Sequence, residues 1–327
     1  DGFRLAHFRP PCYPALVNLT SARIQIVGGE TLAGAALAAE ARRRRLAATV
    51  LTAAETGGWA NAAAIEKAIG AARPDVLFVA AGESGGIALN RAHPARLLES
   101  NLRVALNVLG AAAKLRVPRL VYLASSCCYP RDAAQPLRIE SLQTGPFEPT
   151  NAAYSAAKLA GLLHCEAVRQ EHGLDFFAAI PATLYGPEDH FDPEHAHVAS
   201  GLMVRLHEAK EKSLPIVAVW GTGKPRRDFL FSRDLADALF FLAEKYDAAR
   251  GPINVGPDAD LSIAEVAETA KAVVGYEGQL EFDVSKPDGA PLKRLDAAPL
   301  RALGWKPQTD FAAGLRETYA AFRKLRR

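Results

Sequence analysis

The stretch "RIQIVGGETLAGAALAAE" (23–40) decides how the rest of the chain is read. Its first five residues form a short apolar run, and Gly28 and Gly29 follow at once. An alanine- and leucine-rich segment of helical character comes next. Strand, glycine turn and helix in that order make half of a βαβ unit. Gly28 and Gly34 have the spacing of the outer glycines in a loop that turns backbone N–H groups and a helix N-terminus toward a pyrophosphate. Thr31 stands where the middle glycine of that pattern belongs. Alone, the segment could equally be an ordinary turn, so its neighbours must decide.

Four further runs resemble the first: "ATVL" (48–51), "DVLFVAA" (75–81), "RLVYLA" (119–124) and "DFFAAI" (175–180). Their hydrophobicity is continuous rather than alternating, as expected of strands covered on both faces. Amphipathic stretches at 32–46, 59–72, 93–116 and 151–172 separate them. The alternation predicts an α/β chain, a Rossmann-type doubly wound parallel sheet with a smaller C-terminal α/β substrate lobe. Past 181 the rhythm breaks into "PATLYGPEDHFDPEHAH" (181–197), a long Pro- and His-rich loop of the kind that carries function. Residues 1–21 read as an irregular leader, and 22–182 as the dinucleotide-binding domain, with 227–256 returning to it. Residues 183–226 and 257–327 make the smaller lobe.

The 327 residues are 49% hydrophobic, enough for a large core, and the net charge is only +3. The one basic cluster, "ARRRRL" (41–46), falls late in a helix, where cations suit the negative end of the dipole. That argues against a nucleic-acid partner. Cys12, Cys127, Cys128 and Cys165 show neither metal spacing nor a disulfide framework, which points to a reducing, cytoplasmic setting without a metal. No apolar run reaches the roughly 18 to 20 residues a membrane span needs.

The chemistry gathers around Ser125, Tyr154 and Lys158. Tyr154 and Lys158 are four apart in "NAAYSAAKLAG" and share one helix face. A phenol is a weak acid at neutral pH; an ammonium beside it would lower its pKa and let it exchange a proton with a carbonyl oxygen. Ser125 lies at the carboxyl end of the fourth strand, where such sheets bind ligands, and can share that oxygen.

These features resemble the extended short-chain dehydrogenase/reductases. "SSCCYP", "EPTNAAYSAAKLAG", "LYGPEDHFDPEHAHV", "VWGTGKPRRDFLF" and "KPDGAPLKRLD" narrow the resemblance to the GDP-L-fucose synthase family. That family epimerises carbons 3 and 5 of a GDP-4-keto-6-deoxy sugar, then reduces C4 with a nicotinamide hydride. The resemblance implies Cys127 as base, His197 as acid, Tyr154 as the group meeting the substrate oxygen, Lys158 tuning it and Ser125 orienting it. Gly28, Thr31, Leu32, Gly34, Ala80 and Leu184, with Tyr154 and Lys158, would meet NADP. Ser126, Arg205, Trp220, Arg227 and Lys293 would meet the GDP-sugar. Cys128 and Cys165 match no catalytic position and read as packing residues. Relatives of this kind dimerise through the helix carrying Tyr-x-x-x-Lys, so a homodimer is implied.

The chain also departs from that pattern. Glu30 replaces an arginine in the glycine loop, Glu83 a lysine, and Thr183 an asparagine. Two anions in place of cations should weaken NADPH binding. NADP bound differently, a switch to NAD, an epimerase without reduction, or a non-catalytic nucleotide-sugar-binding homologue all stay open on sequence alone.

Overall fold

The computed structural model describes residues 17–189, 191, 197–286 and 288–326. Cys12 and nearly all of the 1–21 leader lie outside them. The first half alternates β1 (Ile24–Val27), α1 (Leu32–Arg43), β2 (Ala48–Leu51), α2 (Ala53–Thr56), α3 (Ala62–Ala72), β3 (Val76–Val79), α4 (Ile87–Ala92), α5 (Pro94–Lys114), β4 (Arg119–Leu123), α6 (Ala152–His172) and β5 (Asp175–Pro181). Then come β6 (Thr183–Tyr185), α7 (Val198–Glu211), β7 (Ile216–Trp220), β8 (Arg226–Arg227), β9 (Phe229–Phe231), α8 (Ser232–Lys245) and β10 (Ile253–Val255). The chain ends with β11 (Leu261–Ser262), α9 (Ile263–Val274), β12 (Gln279–Asp283), β13 (Leu292–Lys293), α10 (Ala298–Ala302) and α11 (Phe311–Leu325).

Six strands form one sheet in the order β10-β5-β4-β3-β1-β2, and every ladder in it is parallel. All residues of β1, β3, β4 and β5 are buried, because helices cover both faces. This is the doubly wound α/β fold expected from the alternation. The strand order reverses between β1 and β3, leaving a crevice beyond their carboxyl ends. The segment 227–256 returns to this sheet at its end. Its strand β9 pairs with β6 in a separate two-stranded ribbon, and β10 is the strand that reaches β5.

Two hydrophobic cores result. One surrounds the sheet and also takes in Leu295, Leu300 and Trp305 from the C-terminal region. The other joins α7, α9 and α11 through Leu202, Met203, Val266, Val274, Leu315 and Phe322, with Phe229 and Phe231 of β9. The three-stranded sheet β11-β8-β13 sets Lys293 in register with Arg227. That pairing brings two cations side by side.

Candidate active site

The strand-end turn after β4 sorts four consecutive side chains. Ala124 N–H still donates to the Ala179 carbonyl of β5 (2.9 Å), and the chain then leaves the sheet. Ser125 caps a single 3₁₀ turn, Ser126–Cys128. Its Oγ accepts from Cys127 N–H (3.1 Å), and its carbonyl accepts from Cys128 N–H (3.0 Å). Ser125 and Cys127 are partly exposed, whereas Ser126 and Cys128 are buried. Burial pushes the Cys128 thiol up to about 12 and raises that of Cys165 in α6 as well. Neither thiol can serve as a base near neutral pH, in keeping with their reading as packing residues.

A close approach brings α6 onto β4. A Cβ at Gly161 would lie 2.3 Å from the Tyr122 ring, so only glycine admits this contact. One turn earlier, Lys158 is 6% exposed and donates from Nζ to the Leu123 carbonyl (2.6 Å). The ammonium also stands 4.9 Å from the centre of the Tyr122 ring. Enclosure pulls its pKa down to about 8.

Tyr154, a further turn back, keeps part of its ring exposed and hydrogen-bonds the Ser125 side chain. Its pKa moves opposite to the sequence expectation. Burial, then the facing Cys127 sulfur, push the phenol well above its ordinary value, and the Ser125 bond offsets only part of this. Lys158 spends its nearest contact on the Leu123 carbonyl, and desolvation of the phenol dominates.

Cys127 draws on two further segments. Asn151 donates from Nδ2 to its Sγ (3.3 Å), and Lys293 donates from Nζ to the same sulfur (3.3 Å). The Arg227 guanidinium also feels the Cys127 charge. Lys293 arrives because the loop after Cys128 is tied to the end of β13. Leu137 N–H donates to the Arg294 carbonyl (2.7 Å), and Asp296 N–H donates back to Leu137 (2.9 Å). Asn254 of β10 clamps both, donating to the carbonyls of Leu137 (2.8 Å) and Asp296 (3.2 Å). Its Oδ1 accepts from the Tyr129 hydroxyl (2.6 Å).

Ser125, Cys127, Tyr154, Lys158 and Lys293 thus come together at the carboxyl end of β4. Of the remaining predicted substrate contacts, Ser126 is buried in the strand-end turn, and Arg205, Trp220 and Arg227 come from α7, β7 and β8. His197 is the partly exposed residue before α7. Arg205 of α7 is held by the carbonyls of Gly201 (3.4 Å) and Ala218 (3.2 Å). Trp220 ends β7 and is 65% exposed, with Lys286 over its ring (6.0 Å). Arg227 donates to the Arg226 and Ala290 carbonyls (2.7 and 2.6 Å). Among the described residues, no three His, Cys, Asp or Glu side chains gather as a metal site. No described helix is long and apolar enough to cross a membrane.

A family model described as "NAD dependent epimerase/dehydratase family" matches residues 24–256. The rice (Oryza sativa subsp. japonica) protein named probable GDP-L-fucose synthase 1 is 45% identical over 256 residues, covering 78% of each chain. The chain belongs to the NAD-dependent epimerase/dehydratase family, in its GDP-L-fucose synthase branch. The Escherichia coli (strain K12) GDP-L-fucose synthase is 36% identical over 312 residues, 93% of this chain and 97% of its own. Among solved structures, a GDP-L-fucose synthetase from Naegleria fowleri bound to NADP superposes with a TM-score of 0.85 at 26% identity. The match covers 96% of this chain and 97% of that one. A GDP-6-OMe-4-keto-L-xylo-heptose reductase from C. jejuni gives 0.87 at 28% identity, covering 95% and 100%.

A dinucleotide of this family meets a loop here that fits it at one end. Gly28 has φ +93°, and a Cβ on it would lie 2.3 Å from Ala81 N. A Cβ on Gly34 would sit 1.9 Å from the Gly28 carbonyl oxygen. Thr31 caps α1, its Oγ1 accepting from Gly34 N–H (3.0 Å) and donating toward the Gly28 and Ala80 carbonyls (2.9 and 3.1 Å). Threonine thereby closes the loop where a glycine is usual and leaves the start of α1 free to face a pyrophosphate. Leu32 opens α1 beside Gly186, just past Leu184 of β6.

The adenosine end carries carboxylates. Glu30 accepts from Ala53 N–H (3.3 Å), and Glu55 accepts from the Thr52 N–H (2.7 Å) and hydroxyl (2.8 Å). Both gather at the start of α2, where carboxylates suit ribose hydroxyls and weaken, by charge, the hold on a 2′-phosphate. The other exchanged anion, Glu83, is paired with Arg96 (2.5 Å). Replacing Glu30 by arginine is expected to tighten NADP⁺ binding by about tenfold while moving NAD⁺ by less than about twofold. Titration calorimetry of the two nucleotides would check it; equal changes for both would refute an electrostatic role at the 2′-position.

Asn151 and Asn101 escaped the sequence reading. Asn151 lies three residues before Tyr154, and that offset was its only signal. Asn101 is a buried amide in α5 whose Nδ2 donates to the carbonyls of Glu83 (2.9 Å) and Leu97 (2.8 Å). It pins the loop after β3 beneath Gly82, where a Cβ would lie 2.4 Å from its Oδ1. A polar residue facing inward from a helix was the only sequence clue.

Proposed function

We propose that this protein is a nucleotide-sugar epimerase/reductase that takes a GDP-4-keto-6-deoxy sugar to GDP-L-fucose or a close relative, with NADP as cofactor. The observation that carries the reading is the joint placement of Ser125, Cys127 and Tyr154. Ser125 Oγ accepts from Cys127 N–H at the strand end, and the Ser125 side chain and the Cys127 sulfur both act on the Tyr154 phenol. Such a cluster can hold a ketone oxygen and remove a proton beside the carbonyl.

In this reading Tyr154 and Ser125 hold the C4 oxygen, Cys127 takes the proton from C3 or C5, and His197 returns one from the opposite face. Negative charge develops on C4 oxygen during proton removal and again during reduction, so one phenol serves both steps. A phenol whose pKa is raised keeps its proton until that charge appears, which suits an acid. The nicotinamide, when bound, supplies the hydride to C4. Arg227 and Arg205 would meet the diphosphate and Trp220 the nucleotide, using the paired donors of guanidinium groups. We place the sugar-binding lobe at 183–226 and 257–327, and infer a cytoplasmic homodimer. Leu106 of α5, beside α6, is 63% exposed, in keeping with such an interface.

The decisive experiment mixes the protein with GDP-4-keto-6-deoxymannose and NADPH and follows the nicotinamide absorbance. Loss of the band, with deuterium entering at C3 and C5 in heavy water, is expected. Exchange without oxidation of NADPH would leave an epimerase alone, which the carboxylates around the adenosine end would explain. Absence of both would overturn the proposal. Within the same assay, Cys127→Ser is expected to slow deuterium entry by about 10² or more. Reduction of an already epimerised ketone should fall much less. Equal losses would contradict the division of labour between sulfur and phenol.

A further inference from the structure

We propose that Lys293, with Asn151, is a positioning residue for Cys127: its ammonium is the counter-ion that holds the sulfur as proton acceptor, rather than a cation reserved for the diphosphate. The inference rests on the reading of Cys127 as the base and goes further, because the resemblance alone assigned Lys293 to the nucleotide. Both donors reach the same atom, Asn151 Nδ2 at 3.3 Å and Lys293 Nζ at 3.3 Å. The Asn151 amide is itself oriented, with Ser155 Oγ donating to its Oδ1 (3.2 Å). The Lys293 backbone is held in place, since β13 pairs with β8 and the residues after it are tied to Leu137 and Asn254.

Charged and titratable groups face the sulfur from each neighbouring segment. Arg227 on β8 and Tyr154 on α6 are coupled to it electrostatically, and Cys128 follows it in the turn. Behind Lys293 lies Asp228, 1% exposed, whose Oδ2 accepts from Leu295 N–H (2.9 Å). Asp228 feels the Lys293 charge, and its Oδ1 has no hydrogen-bond partner. Lys293 therefore contacts the sulfur and acts electrostatically on a buried carboxyl as well.

The step balances without any other reactant. The sulfur of Cys127 takes a proton from the carbon beside the ketone. The C–H bond breaks, an S–H bond forms, and the electron pair moves onto the C4 oxygen. Lys293 keeps its three protons throughout, and its hydrogen bond to sulfur weakens as the thiol forms. One of the three Lys293 donors is committed to the sulfur, and Arg227 and Arg205 remain for the phosphates.

The test is the pH dependence of Cys127 alkylation by iodoacetamide in the reduced full-length protein, read at that residue by mass spectrometry. Lys293→Gln is expected to slow alkylation about tenfold at pH 7. Lys293→Arg should stay within about twofold of the parent, since it restores the charge. Asn151→Ala should show a smaller slowing in the same direction. Deuterium entry at C3 and C5 should fall with Lys293→Gln and recover as the pH is raised. GDP affinity, measured by calorimetry, should change less than about threefold. An unmoved alkylation profile in a folded Lys293→Gln protein, with GDP affinity down tenfold or more, would overturn the proposal. A shifted profile combined with normal deuterium entry in Cys127→Ser would instead keep the pairing and refute Cys127 as the base.

Discussion

Tyr154→Phe is expected to lower kcat by about 10³-fold or more, with GDP affinity held within about twofold. In the proposed mechanism Tyr154 and Ser125 meet the same oxygen in both half-reactions, and the phenol is the stronger acid of the two. Removing its hydroxyl leaves the Ser125 hydroxyl as the one donor of the pair against the developing charge. Deuterium entry at C3 and C5 and oxidation of NADPH should therefore collapse together, unlike the unequal losses expected for Cys127→Ser. The ring itself remains, so the packing of α6 on β4 at Gly161 and Tyr122 is untouched. A variant that kept a tenth of parental turnover, or that lost reduction alone, would remove Tyr154 from the shared role.

How much of this was legible in the sequence depends on the range of the interactions. Strands β1, β3, β4 and β5 declared themselves because each is a continuous apolar run covered on both faces; β2 declared itself by its apolar run too, but it is the edge strand, with Thr49 and Val50 exposed. Strand β10 did not, being three residues long and defined by its pairing with β5 rather than by its own pattern. The ribbon of β6 with β9 was likewise invisible, since it joins segments 46 residues apart by register. At the site, the four-residue spacing of Tyr154 and Lys158 is a local helical property and could be read directly. The contact of Lys293 with Cys127 spans 166 positions and depends on Asn254 clamping two loops; no local pattern encodes it. Tyr154 shows the same limit in electrostatics. Spacing placed an ammonium near the phenol, whereas enclosure by β4 and the strand-end turn set the direction of its pKa.

The largest loss of stability is expected at the far end of the sheet, from Asp175→Ala. Arg119 and Asp175 open β4 and β5 directly opposite each other, form an ion pair at 2.9 Å and are each about 2% exposed. The Arg119 guanidinium also donates to the carbonyl of Tyr246 and lies 5.6 Å from the centre of the Phe177 ring. The pair is not a net gain over apolar packing. Burial outweighs the attraction of Arg119 and lifts the Asp175 carboxyl to about 6, while burial also lowers Arg119. Asp175 Oδ1 and Arg119 Nε lack hydrogen-bond partners. Deleting one partner nevertheless strands the other charge in the core, at a cost of about 3–5 kcal/mol. Denaturant unfolding of Asp175→Ala should show that loss, whereas Arg119→Met combined with Asp175→Leu should recover most of it by filling the space with apolar atoms. Folded Asp175→Ala should bind GDP as the parent does, because the pair lies at the amino ends of its strands, opposite the site at their carboxyl ends. If the single and double variants lost the same stability, the cost would come from packing volume, and the stranded arginine would not be its cause.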